Sequence, residues 1–288
     1  MTEPPRSNKA PFQLMQLMST AFGQYRAQIL PLLVLSLVSF LPFWAISQFS
    51  QFDLGDLSEL FHGFLLDILV FLALPTLLSF NRIYPIETLK IFTNFFASSI
   101  LVVLLQVFGL FFLLLFFSGF GLPFMFFGLV PFIFILFVGQ FSLVNNAPKM
   151  LELKDNFIDS VLLIRKHFWA VFVAYLNLST LMILPILIFS LVYMRSHPEF
   201  VKLTDTTGPM DGTGLFEAIQ AVMNETGYQM GRMGIHLVFR PFKALVMGLI
   251  LAKLLEQSMP EKHAAYFNIT EPPAEDNPSI EQSWNPKE

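Results

Sequence analysis

Six long stretches of apolar residues follow one another along the chain, separated by shorter polar segments. Each stretch has about 20 residues, the number that an α-helix needs to cross a hydrocarbon core about 30 Å thick. Their Leu, Phe, Ile and Val residues do not alternate with polar ones as in β-barrel strands, and backbone groups in lipid must be paired. The pattern therefore predicts an all-α, polytopic membrane protein with six transmembrane helices, at residues 27–47, 60–80, 96–117, 124–143, 168–194 and 234–255.

Two amphipathic stretches precede the first and the fifth of these spans. Most apolar side chains of residues 11–26 fall on one side of a helix, and residues 156–168 carry an apolar residue at every third or fourth position. This spacing is typical of a helix that lies in the membrane interface. We predict one interfacial helix that leads into the first span, and a second on the cytoplasmic face. Between the third and fourth spans, Gly119, Gly121 and Pro123 predict a tight helical hairpin.

The basic residues predict how the spans are oriented, because cytoplasmic loops carry an excess of Lys and Arg. Twelve basic residues lie in the N-terminal segment, in the loops after the second and fourth spans, and at the C-terminal end. Only Arg195, Lys202 and Arg232 lie in or beside the loop after the fifth span. The bias alternates from loop to loop, so that both termini are predicted to be cytoplasmic in a bacterial inner membrane.

The overall composition agrees with lipid as the main solvent. Apolar residues make up 55% of the chain and charged residues 13%, against about 25% charged residues in a typical soluble domain. A soluble enzyme and a nucleic-acid-binding protein are therefore excluded. The chain has no cysteine, which excludes disulfides and thiolate metal sites. The net charge of −4 comes from residues 257–288, an acidic, Pro-rich tail that we predict to be disordered; residues 1–256 form the transmembrane domain.

Residues 131–185 carry a resemblance to a known family. An apolar span with the internal proline Pro131 is followed by Ala147–Leu151, by an amphipathic stretch that contains Asp159, and by Trp169 directly before the next span. This stretch resembles the YciC-like family of uncharacterised bacterial inner-membrane proteins, and is similar to the membrane domain of glycerophosphodiester phosphodiesterases. The resemblance implies six spans with an amphipathic lead-in helix, and it implies no catalytic residue.

Three charged residues fall inside the predicted spans: Asp67 in the second, and Arg240 and Lys243 in the sixth. These two spans cross the membrane in the same direction, and the three residues lie at similar depths, about 10 Å from one face for Asp67 at 1.5 Å per residue. A charge in the membrane costs several kcal/mol unless it is paired or hydrated. We predict an intramembrane polar cluster in which Asp67 pairs with Arg240 or Lys243. The cluster could be a structural clamp with snorkelling cations, a polar cavity for a ligand, or the product of a sixth span that begins later.

Uncharged polar residues inside the spans are predicted to form hydrogen bonds between helices. They are Gln106, Gln140, Asn145, Asn146 and Asn177. Enzyme motifs such as HExxH, GxSxG and the phosphate-binding Gly-Lys loop do not occur in the sequence. We therefore predict no catalytic residue, no metal site and no cofactor.

Three functional hypotheses follow from these patterns. The leading one is a non-enzymatic membrane-organising or accessory subunit, with membrane lipid and other membrane proteins as its partners and no nucleic acid. The alternative is a small transporter or channel that uses the polar cluster. A third, an enzyme that acts on lipid head groups, would need several carboxylates or histidines to converge at one interface. A closed, paired cluster favours the first hypothesis, whereas a water-accessible cavity at Asp67 and Arg240 favours the second.

Overall fold

The computed structural model describes residues 12–49, 55–94, 96–121, 125–144, 153–197, 219–223 and 225–267. Within these residues every regular element is a helix and no strand occurs, which confirms the all-α prediction. A helical turn at residues 219–223 lies between α7 and α8. The helices are α1 Leu14–Ala27, α2 Ile29–Phe49, α3 Gly55–Phe80, α4 Pro85–Asn94, α5 Phe96–Phe120, α6 Met125–Val144, α7 Leu153–Ser196, α8 Thr226–Ser258 and α9 Pro260–Phe267.

Each of the six predicted spans coincides with one helix, namely α2, α3, α5, α6, α7 or α8. Three stretches of the described chain are long and apolar enough to cross a membrane alone, at Phe61–Phe80, Ile158–Ser196 and Thr226–Ser258. The number rises to five if the bent pairs α1–α2 and α4–α5 each count as one span. In α6 the apolar stretch Phe127–Gly139 is too short to count as a membrane span by the same criteria. The fold is therefore that of a helical protein with three to five candidate membrane spans.

Helix α8 lies at the centre of the fold, where it packs against α1, α2, α3, α7 and α9. Gly248 allows α3 to approach closely, since a Cβ atom at this position would lie 2.5 Å from Cδ1 of Leu74. Closer to the beginning of α8, the guanidinium group of Arg240 lies against Gly63 of α3 in the same way. The two contacts occur in the same order along both helices, so that α3 and α8 run parallel.

Helix α7 runs antiparallel to α8. The ring of Phe189, near the end of α7, lies against Gly231 near the beginning of α8. At the other end, a ring nitrogen of His167 lies 3.3 Å from Oγ of Ser258. The directions of α3, α7 and α8 are those expected if the second and sixth spans cross the membrane one way and the fifth crosses it the other way.

The beginning of α7 differs from the prediction. Residues 156–168 are not a separate interfacial helix, but belong to one helix of 44 residues that continues through the fifth predicted span. This helix contains no glycine, and its one proline is Pro185, so that nothing interrupts the backbone hydrogen bonds near residue 168. At 1.5 Å per residue it is about 66 Å long, roughly twice the thickness of the hydrocarbon core of a membrane.

Helices α5 and α6 form the predicted hairpin. Gly121 follows α5 with a φ of 79°, a left-handed conformation that glycine adopts without steric cost. Gly109 of α5 lies against Ile135 of α6, and Gly139 of α6 lies against Val102 of α5. These contacts show that the two helices pack antiparallel along their length.

Residues 260–267, which the sequence analysis placed in a disordered tail, form helix α9. Pro260 is its first residue, a position that favours proline because the missing N–H is not needed there. Phe267 is only 3% exposed, and its carbonyl oxygen accepts a hydrogen bond from Ser79 of α3. Lys262 forms an ion pair with Asp159 of α7. Burial of the Phe267 ring thus orders a segment whose composition is polar; residues 268–288 lie outside the described part of the chain.

The lead-in helix predicted at residues 11–26 is α1, which meets α2 at an angle of 86°. Gln28 lies at this corner, and its side chain joins it to the turn between α3 and α4. Nε2 of Gln28 donates a hydrogen bond to the carbonyl oxygen of Asn81 at 3.1 Å, and Oε1 accepts one from the backbone N–H of Ile83 at 3.1 Å. Asn81 has a φ of 53°, so that this side chain stabilises a turn with a left-handed residue.

We expect the substitution Gln28→Leu to lower the free energy of unfolding by about 1–3 kcal/mol, because it leaves backbone groups of the turn without their partner. Thermal unfolding of the purified protein in detergent would measure the loss. Gln16→Leu is the matched control, since Gln16 lies exposed on α1. Equal losses in both variants would contradict a role of Gln28 in this turn.

Candidate functional site

A cavity of about 200 Å³ lies between α3, α7 and α8. The three residues of the predicted cluster, Asp67, Arg240 and Lys243, all line this polar cavity. Arg240 lies about 21 Å from the first residue of α8 at 1.5 Å per residue, near the middle of the helix. The structure therefore brings together side chains from helices that are far apart in sequence, at a level remote from the helix ends.

Three polar residues of α8 face the polar cavity because they are spaced by four and three positions. His236, Arg240 and Lys243 fall on one side of a helix at this spacing. Nε of Arg240 donates a hydrogen bond to Nδ1 of His236 at 3.1 Å. The guanidinium group is thus held along the helix, and its far end lies against Gly63 of α3, where a Cβ atom would come within 2.5 Å of a guanidinium nitrogen.

Pro241 follows Arg240 in α8 and changes the backbone hydrogen bonds behind the cavity. Proline has no N–H, so the carbonyl group of Leu237 loses its partner within the helix. Oγ of Ser36 in α2 donates to this carbonyl oxygen at 3.3 Å, and Oη of Tyr25 in α1 donates to the next one, on Val238, at 2.7 Å. Side chains of neighbouring helices therefore satisfy the irregular turn of α8, as the interior of a membrane requires.

Lys243 reaches across the polar cavity to α7. Its Nζ donates a hydrogen bond to Oγ of Ser179 at 3.1 Å and lies 4.0 Å from the centre of the Tyr175 ring, a cation–π contact. These two contacts use at most two of the three N–H donors of the ammonium group. Ser179 and Tyr175 are one helical turn apart, so that both face the cavity.

Among the described residues that line the polar cavity, Asp67 supplies the one carboxylate. It is half-buried and follows Gly63 by one helical turn. Arg240 and Lys243 contribute two formal positive charges against this single negative charge. The pairing of Asp67 with Arg240 or Lys243 stays a prediction. The structure shows that the three side chains line the same cavity.

His62, next to Gly63, is 2% exposed and is not among the residues that line the polar cavity. A ring nitrogen lies 3.1 Å from the carbonyl oxygen of Ser36, and the ring packs edge-to-face on Phe40 with 5.7 Å between ring centres. His62 therefore joins α2 to α3 behind the site. Within the described residues, no group of three or more His, Cys, Asp or Glu side chains could hold a metal ion.

The sequence analysis missed Gly63, Tyr175 and Ser179 as site residues. Two signals in the sequence could have identified them. Glycine costs about 1 kcal/mol inside a helix relative to alanine, so Gly63, one turn before a charged residue, indicates a close approach of another group. Tyr175 and Ser179, two hydroxyl side chains one turn apart in a mostly apolar span, indicate a polar face.

The uncharged polar residues do not form the predicted bonds between helices where the structure describes them. The amide of Asn177 donates to the carbonyl oxygen of Val173 in its own helix at 2.9 Å, since a short polar side chain can satisfy itself on the preceding turn. Gln106 is fully buried, and neither amide atom has a partner within the described part of the chain. The side chain of Gln140 and the residues Asn145 and Asn146 lie outside it.

No protein-family model, no curated protein and no solved structure matches the chain at a significant level. The resemblance of residues 131–185 to the YciC-like family therefore stays a prediction. Function has to be inferred from the polar cavity and from the residues that line it.

Proposed function

We propose that the chain is a non-enzymatic protein of the bacterial inner membrane whose polar cavity binds an anionic group within the membrane, as in a small transporter. The observation that carries this proposal is the position of Asp67, Arg240 and Lys243 on the wall of one cavity. The same proposal includes six spans and cytoplasmic termini.

Location in a membrane is supported by the outer surface of α7. Its apolar residues Leu187, Ile188, Leu191 and Val192 are each more than half exposed. A large apolar surface of this kind is unfavourable in water and suits contact with lipid tails. Helix α1 meets α2 at an angle of 86° and packs on Val238 and Phe242 of α8, beside Arg240, whereas its predicted position in the membrane interface stays a prediction.

An anionic ligand is supported by the charges of the polar cavity. Among the described residues that line it, two cations and one carboxylate leave one formal positive charge in excess, and an excess charge in the membrane is costly unless a counter-ion or water compensates it. Lys243 retains an N–H donor for such a group. At about 30 Å³ of liquid volume per water molecule, a cavity of about 200 Å³ has room for a small anionic group together with water.

A thiol-labelling experiment tests whether the polar cavity is hydrated. The chain has no cysteine, so that one introduced thiol reports on its own position. Ile186 lines the cavity, whereas Leu187, the next residue, is exposed on the outer side of α7 and lines neither this cavity nor its neighbour. We expect a water-soluble maleimide to react about tenfold faster with Ile186→Cys than with Leu187→Cys, because the reactive thiolate forms in hydrated surroundings and not in lipid.

Equal or absent reaction of the two thiols would contradict a hydrated cavity. It would favour the second candidate function, a membrane-organising or accessory subunit. That candidate has its own support in the contacts of the two cations, since Lys243 joins α7 to α8 through Ser179, and Arg240 lies against Gly63 of α3. In that case the cluster would act as a clamp between helices.

A further inference from the structure

An apolar cavity of about 240 Å³ adjoins the polar cavity, between α1, α7 and α8. Its walls are formed by side chains of all three helices, among them Met18, Phe22, Leu178, Leu181, Val238 and Phe242. Met182 and Lys243 line both cavities. The ammonium-bearing side chain of Lys243 therefore lies at the boundary between a polar compartment and an apolar one.

Packing between α1 and α8 forms the apolar cavity before any ligand binds. The ring of Phe242 packs edge-to-face on Phe22 and on Tyr25, with ring centres 6.4 Å and 5.8 Å apart. The hydrogen bond from Tyr25 to the Val238 carbonyl, 2.7 Å long, holds α1 in place. Phe22 is 61% exposed and Leu181 47% exposed, so that this cavity opens on the surface that lipid covers in the proposed arrangement.

We infer that the two cavities together bind one amphiphile with a single acyl chain and an anionic head group, the chemistry of a fatty acid. The head group lies in the polar cavity near Lys243 and Arg240, and the chain lies in the apolar cavity. This inference rests on the proposed function, since it specifies the anion that the polar cavity binds.

The two parts of such a ligand contribute in different ways. Lipid tails are as apolar as the walls of the apolar cavity, so that transfer of an acyl chain from the membrane gains little. The head group contributes the preference, because its charge compensates the one positive charge that Asp67 leaves in excess in the polar cavity, in surroundings of low dielectric constant. An apolar cavity of about 150 Å³ accommodates one benzene ring, so the apolar cavity has room for a segment of one chain and excludes a second.

Binding of tritiated oleate to the full-length protein in nanodiscs of phosphatidylcholine tests the inference. We expect saturable binding that unlabelled oleate displaces, whereas methyl oleate, which lacks the charge, and acetate, which lacks the chain, do not displace it. Lys243→Met should weaken binding about tenfold or more, because it removes a hydrogen bond to a charged group. Lys253→Met is the matched control, since Lys253 lies on the same helix in an exposed pair with Glu256.

A second variant keeps the test independent of how well Lys243→Met folds. Leu181 lines the apolar cavity but not the polar cavity. Leu181→Trp should therefore weaken oleate binding about tenfold, while the thiol of Ile186→Cys still reacts with maleimide. Leu184→Trp, at an exposed position of α7 outside both cavities, should bind oleate normally. Equal displacement by methyl oleate, or unchanged binding in folded Lys243→Met and Leu181→Trp, would overturn the inference.

The two proposals fail in distinguishable ways. If oleate does not bind while the thiol of Ile186→Cys reacts faster than that of Leu187→Cys, the amphiphile is wrong and a hydrated site for another anion remains. If neither oleate binding nor the faster reaction is observed, both proposals are wrong.

Discussion

The substitution Asp67→Arg is expected to prevent the accumulation of folded protein, and a second substitution, Arg240→Asp, is expected to restore it. Asp67→Arg alone places three cations around a cavity of about 200 Å³ in the middle of the helices. Removal of one partner from a buried ion pair costs about 3–5 kcal/mol, and each unpaired charge in the membrane costs about 2.5–3.5 kcal/mol on insertion scales. A total stability of about 5–15 kcal/mol does not tolerate such a loss.

The experiment compares the two single variants with the double variant. Size-exclusion chromatography of fusions to a fluorescent protein, before and after heating, reports the amount and thermal stability of folded protein. Glu256→Lys is the matched control, because Glu256 is half-exposed and pairs with Lys253, and exposed pairs contribute about 0–1 kcal/mol.

The identity of the partner of Asp67 follows from which second substitution restores folding. Recovery with Arg240→Asp assigns Arg240 as the partner, and recovery with Lys243→Asp assigns Lys243. If the double variants are no more stable than Asp67→Arg itself, the predicted pairing is wrong. The cations would then owe their position to depth in the membrane and to their contacts with His236 and Ser179.

The sequence predicts a helix at each of the six apolar stretches and the shared location of the three charges, because both depend on local quantities; it assigns residues 260–267, which form α9, to a disordered tail. Length and apolar character determine where a span lies, and each predicted span coincides with one helix. Basic residues predict the direction of each span, and parallel spans bring residues of equal depth side by side. This reasoning places Asp67 beside Arg240, and in the structure both line the polar cavity.

The other features of the site depend on contacts between helices, which the spacing of apolar residues along the chain does not predict. An amphipathic pattern at residues 156–168 is the same whether the helix lies flat or continues straight into a span, so it could not predict that α7 is unbroken. The apolar cavity exists because the chain turns by 86° between α1 and α2, at Gln28, so that α1 packs on α8. That turn depends on hydrogen bonds to Asn81 and Ile83, more than 50 residues away in sequence.

Gly248→Leu is expected to lower the free energy of unfolding by about 3 kcal/mol, and Gly234→Leu to leave it unchanged or raised by up to about 1 kcal/mol. Both glycines lie in α8. A Cβ atom at Gly248 would lie 2.5 Å from Cδ1 of Leu74, a side chain of the core that is 1% exposed. Forcing additional atoms into a packed core costs about 1–3 kcal/mol or more. No atom lies within 4 Å of a Cβ at Gly234, and replacing a helical glycine gains helix propensity.

Thermal unfolding of the purified variants measures both changes, and Gly248→Ala should give an intermediate loss. Gly248 lies two helical turns beyond Arg240, at the same contact between α3 and α8 that aligns Gly63 and Asp67 with the cations. Leucine at this position has to push the two helices apart, which moves the carboxylate away from Arg240 and opens the polar cavity. Gly248→Leu should therefore also increase the maleimide reactivity of the thiol of Ile186→Cys relative to that of Leu187→Cys. If the ratio of the two reactivities does not change while stability falls, the hydration of the cavity does not depend on the contact between α3 and α8.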